Sequence, residues 1–135
     1  MKWNHIQDSK YLRWNKENIM KLIIAVIQPE ELPDIKEELL KRKIYKFTIS
    51  NVLGQGMEFP IHEVYRGIAH EIKLLKKVRI EIAVNNEYVD QVVDAITTVA
   101  RKDKDKDKAR GKIFIIPVEE CIRIRTGETG SAAIG

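Results

Sequence analysis

A single cysteine, Cys121, occurs in the 135 residues. An intrachain disulfide is therefore excluded, and Cys121 reads as a small residue beside a strand. Such sparing cysteine use fits a reducing compartment. No apolar run approaches the roughly 20 residues of a membrane helix. The first 19 residues lack the apolar core of a secretory signal. A cytoplasmic protein without membrane insertion is expected. One-sided charge is also missing: 24 Lys and Arg stand against 20 Asp and Glu, a net of +4. Half of that excess sits in the first 19 residues, where Lys2, Lys10, Arg13 and Lys16 outnumber Asp8 and Glu17. So small an excess gives no support to a nucleic-acid partner, but it leaves room for local anion sites. Catalytic constellations are missing as well. His62 adjoins Glu63, and His70 is too far along to complete a metal-ligand spacing. No nucleophile is paired with a base. The expectation is a protein that is not an enzyme and holds no metal by histidines.

What is present is one pattern used twice. Residues 21–28, KLIIAVIQ, form a short apolar run that reads as a buried strand ended by Pro29. Pro33 suits a first helical turn, after which Ile35, Leu39 and Leu40 follow Leu32 at helical spacing. Residues 44–52 are rich in β-branched and aromatic side chains and predict a second strand. Residues 77–84, KVRIEIAV, alternate apolar and charged positions, as a strand with one wet face does. Asn85 or Asn86 is placed to cap a helix marked by Val89, Val92, Val93, Ile96, Val99 and Ala100. Residues 112–118 make the fourth strand. Strand-helix-strand twice over predicts an α+β fold, the ferredoxin-like βαββαβ sandwich.

Three irregular segments remain, at about 54–76, 101–112 and 119–135, and chemistry is sought there because loops on a rigid sheet carry function. In CIRIRTGE, Arg123 and Arg125 are two apart. In an extended segment they project from one face as paired forks suited to phosphate or carboxylate. Two solvated surface arginines are the alternative. Gly111 before Lys112 allows a close backbone approach at a strand start, although the Walker A pattern is absent. Gly54 and Gly56 give a G-x-G at the end of the second strand, which in isolation reads as a plain turn.

KLIIAVIQPEELPDIKEELLKR, HEVYRG, LLKKVRIEIAV, GKIFIIPVEECIRIRTGE and the closing SAAIG together resemble the PII nitrogen-regulatory signalling proteins, from Met20 to the end. The resemblance implies a homotrimer with ATP or ADP as ligands in the clefts between subunits. It also implies a long T-loop, here about 54–76, that docks on a transporter or metabolic enzyme. It assigns phosphate contacts to Arg123 and Arg125 across the subunit boundary, and to Ala109, Arg110, Gly111 and Lys112 in the B-loop, about 101–112. It places Gly54, Gly56, Met57 and Glu58 at the base of the T-loop over the nucleotide. Val26, Thr48 and Ala83 line the adenine and ribose, with Glu81 nearby, and Lys77 is the candidate for an effector carboxylate such as 2-oxoglutarate. Residues 1–19 fall outside the resemblance as an N-terminal extension.

The chain also departs from the family. The glycine-rich B-loop is replaced by KDKDKDKAR, which leaves three readings open: phosphate held by the side chains of Lys108, Arg110 and Lys112 in place of a backbone nest, a loose loop that weakens or retunes the site, or a plain solvated loop of self-cancelling charge. Glu58 stands where relatives that sense 2-oxoglutarate carry glutamine. Glutamate also ligates magnesium, which makes Glu58 the candidate for a magnesium held through ATP. Its added charge opposes a dicarboxylate, which argues against standard 2-oxoglutarate sensing and leaves another small anion such as bicarbonate. His70 and Ile68 replace the tyrosine and serine that relatives modify, so neither modification is expected; His70 would add pH sensitivity. Loss of ligand control, leaving an interaction protein, is the alternative. An RNA-binding sheet is disfavoured because KVRIEIAV has no aromatic residue.

Overall fold

The structure, a computed structural model, describes residues 19–58, 71–102 and 111–135, with backbone only at 57, 58 and 71–73. Strand β1 (Met20–Ile27) is followed by a 3-10 turn (Pro29–Glu31) and helix α1 (Leu32–Lys41). Strands β2 (Thr48–Glu58) and β3 (Glu71–Asn85) come next. A second 3-10 turn (Asn86–Tyr88), helix α2 (Val89–Ala100), strand β4 (Lys112–Pro117) and a short helix α3 (Ser131–Ile134) complete the fold. The sheet has the order β2-β3-β1-β4, and every described pairing is antiparallel. This is the expected α+β ferredoxin-like arrangement.

Helices α1 and α2 cover one sheet face. Ile23, Ala25 and Ile27 of β1 and Val78, Ile80, Ile82 and Val84 of β3 point into that layer and are buried. They meet Ile35 and Leu39 of α1 and Val92, Ala95 and Ile96 of α2. The period of two in the strands and of 3.6 in the helices thus converge on one core. Arg42, at the end of α1, ties the helices together: it donates to Glu38 at 3.2 Å and to Asp94 at 2.7 Å. The hydrogen bond to Asp94 raises its pKa further.

Several boundaries differ from the sequence reading. Residues 44–47 are not strand. Lys43 takes a left-handed conformation (φ 62°), and the Ile44 amide turns back to the Leu39 carbonyl, closing the helix end. Leu40 faces solvent. Asn85 stands at the N-cap of the 3-10 turn that leads into α2, but its side chain makes no capping bond and donates to the Ser131 carbonyl; the Asn86 side chain accepts from Lys21. Partial burial lowers the pKa of Lys21. Most consequential, residues 54–58 and 71–76 are not irregular. The β2–β3 ladder continues to Glu58 opposite Glu71, making a long hairpin stem. Residues 59–70, with His62, Tyr65, Ile68 and His70, lie outside the described residues, as do 1–18 and 103–110 with Lys108, Ala109 and Arg110.

Candidate nucleotide site

The open sheet face, opposite the helices, carries most of the predicted positions in rows set by strand register. Thr48, Glu81, Ile24 and Phe114 form one row. Ser50, Arg79, Val26 and Lys112 form the next, toward the hairpin stem. Ala83 lies on the other side, opposite Leu22. Arg79, which sequence reasoning passed over, sits centrally, with Nε 2.9 Å from a Glu81 carboxylate oxygen. The two charges are close but out of line for a hydrogen bond, so this buried nitrogen keeps an unused donor. The charged alternation of KVRIEIAV was the available signal, since it puts residues 77, 79 and 81 on one face.

Gly111 carries the sharpest local geometry. Its φ is 154°, and a Cβ built there would stand 2.7 Å from the Val26 carbonyl oxygen. Only glycine lets the chain enter β4 this close to β1. Val26, Gly111 and Lys112, with Ile113, Ala100 and Arg101, border a cleft of about 200 Å³ at this end of the sheet. Lys112 is exposed. Gly54 and Lys77 belong to the same end: a Cβ on Gly54 would touch Lys77 Cγ at 3.4 Å. The backbone places Met57 and Glu58 farther out on the stem, with Met57 opposite Ile72.

The two arginines lie elsewhere. After β4 the chain leaves the sheet beside Met20, whose carbonyl accepts from the Val118 amide. The C-terminal loop is therefore at the far end of β1 from Val26. Six residues separate Met20 from Val26, roughly 20 Å of strand. The local form also differs from the expectation. Residues 124–126 are a turn, closed by Gly127 N–H donating to the Arg123 carbonyl at 2.8 Å and Arg123 N–H to the Glu128 carbonyl at 2.9 Å. The alternation argument for Arg123 and Arg125 does not hold in a turn. Arg123 is half-buried and donates to Glu128 Oε1 at 3.2 Å and to the Ala133 carbonyl at 3.3 Å. Arg125 is exposed and has no hydrogen-bond or ion-pair partner among the described residues. Glu120 braces the loop, accepting from the Cys121 amide at 3.0 Å and the Gly130 amide at 2.7 Å. Cys121 is a free thiol of intermediate exposure. The glutamates were missed because turn partners follow no period.

Among the described residues no group of three or more His, Cys, Asp or Glu side chains could hold a metal. No helix there is long and apolar enough to cross a membrane.

The family model for nitrogen regulatory protein P-II matches residues 20–128. Nitrogen regulatory protein GlnK1 of Methanosarcina mazei is 45% identical over 115 residues, covering 85% of this chain and 97% of the relative. P-II of Cereibacter sphaeroides is 43% identical over 115 residues, covering 85% and 100%. Among solved structures, the GlnK–ATP complex of B. subtilis superposes with a TM-score of 0.66 at 32% identity, over 84% of this chain and 94% of that one. Arabidopsis thaliana PII bound to citrate gives 0.65 at 31% identity, over 86% and 92%. On sequence, fold and length alike, the chain belongs to the P-II family of nitrogen regulatory proteins.

Proposed function

We propose that this chain is a PII-type regulator, not an enzyme. It binds ATP or ADP between neighbouring subunits of a homotrimer and controls a target protein, a transporter or metabolic enzyme, through the T-loop, about 54–76. One observation carries the shared site. Gly111, Lys112 and Val26 lie at one end of the sheet and the arginine loop at the other, roughly 20 Å apart by strand rise. That separation favours a second copy supplying Arg123 and Arg125 over one protomer holding the whole nucleotide. The open sheet face favours such assembly: Phe114 and Ile116 are 50% and 41% exposed there, beside Leu22, Ile24 and Val26. The B. subtilis GlnK–ATP complex supports an adenine nucleotide as ligand.

In this reading Thr48, Glu81 and Ala83 line the base and sugar. Lys112, Arg123 and Arg125 meet the phosphates, with Ala109 and Arg110 contributing from the preceding loop. Gly54 and Gly56 leave room for the nucleotide beneath the stem. Met57 and Glu58 lie at the start of the switch segment. Glu58 would hold magnesium through ATP, and Lys77 would meet a small anionic effector. A ligand can act through the T-loop only if it binds two forms of the protein unequally.

Calorimetric titration of the protein with ATP, ADP and AMP, with and without magnesium, tests this. Adenylate binding is expected, and Lys112→Ala or Arg123→Ala should each weaken it by tenfold or more, as loss of a charge-assisted phosphate contact does. Absence of binding by all three would overturn the reading in favour of an interaction protein without ligand control. Repeating the ATP titration with bicarbonate or 2-oxoglutarate identifies the second ligand.

A further inference from the structure

The two arginines of the C-terminal loop are not equivalent. Arg125 presents an uncompensated charge among the described residues, while Arg123 already has a counter-ion. Its Nη1 lies 3.2 Å from Glu128 Oε1, and its Nη2 donates to the Ala133 carbonyl. Glu128 is held in place independently: the same Oε1 accepts from Thr126 Oγ1 at 2.9 Å, and the backbone bonds between Arg123 and Glu128 close the turn around the pair. The turn itself therefore sets the geometry of the pair. Three of the five guanidinium hydrogens stay available, so Arg123 is pre-oriented for an anion but electrostatically discounted.

We infer that Glu128 is a specificity-determining residue that competes with ligand phosphate for Arg123 and tunes the site against highly charged ligands. This rests on the reading that the arginines meet nucleotide phosphates. The repulsion between the Glu128 carboxylate and an incoming polyphosphate grows with the ligand's charge. It is therefore largest for ATP, smaller for ADP and smallest for AMP. The contact is partly exposed, so the effect is a trimming of selectivity and not a block.

The experiment is calorimetric titration of the wild-type protein, Glu128→Gln and Glu120→Gln with ATP, ADP and AMP. Glutamine keeps the size of residue 128 and an acceptor oxygen for Arg123. Glu120→Gln removes the same charge from the same loop without touching an arginine. The ATP-to-AMP affinity ratio should rise in Glu128→Gln by on the order of threefold, and the rise should shrink at high salt. Glu120→Gln should leave the ratio as in wild type. An unchanged or lowered ratio in Glu128→Gln, or an equal rise in Glu120→Gln, overturns the inference while the nucleotide site stands. No adenylate binding by any of the three proteins overturns both.

Discussion

Gly111 shows how much a single hydrogen atom can decide. Its φ of 154° and the 2.7 Å approach to the Val26 carbonyl leave no place for a methyl group. Gly111→Ala is expected to lose about 1–3 kcal/mol of stability, the usual cost of forcing a strained backbone. Chemical denaturation would measure that loss, and calorimetry should show adenylate affinity falling with it. The G-K pair was legible as a close approach at a strand start, but Val26 as its partner was not. That pairing needs the β1–β4 register, which joins residues more than 80 apart in the chain. Arg123 and Arg125 read as an extended pair in the sequence, and the turn at 124–126 contradicts that; of the two, Arg123 meets a carboxylate among the described residues. Gly127, with its φ of 75°, helps convert the segment into a turn, and the partner carboxylate comes from five residues on.

At the level of elements, hydrophobic period found four strands and two helices because burial imposes those periods directly. It failed where another force set the boundary. Residues 44–47 have strand composition, yet Ile44 is consumed in closing α1 and is buried there. Gly54 and Gly56 read as a turn, yet both sit within a backbone-paired ladder that tolerates them. The helix layer separates large from small contributions. Leu39 is fully buried, so Leu39→Ala should cost about 2–5 kcal/mol. Arg42 joins α1 to α2 through Glu38 and Asp94, but the Asp94 side chain is 65% exposed. Arg42→Ala should therefore cost only about 1 kcal/mol. A double-mutant cycle with Asp94→Asn, read by urea denaturation, should give a coupling below that of any core pair and reduced by salt.

At the level of the molecule, one sheet face is sealed by helices and the other is left bare by the described residues, and that asymmetry was implicit in the clean alternation of KVRIEIAV. Phe114 lies on the bare face and contributes little to the protomer's own core. Phe114→Lys is expected to leave the far-ultraviolet circular dichroism unchanged and to shift sedimentation velocity toward the monomer. A trimer that persists would place the self-association surface elsewhere. The roughly 20 Å between Lys112 and the arginine loop has one more consequence. If each pocket takes its halves from different chains, two defective proteins can repair one another. Lys112→Ala and Arg123→Ala subunits, each weakened in binding alone, would form mixed rings. In those rings some boundaries join an intact lysine to an intact arginine, and nucleotide binding returns in a predictable minority of pockets.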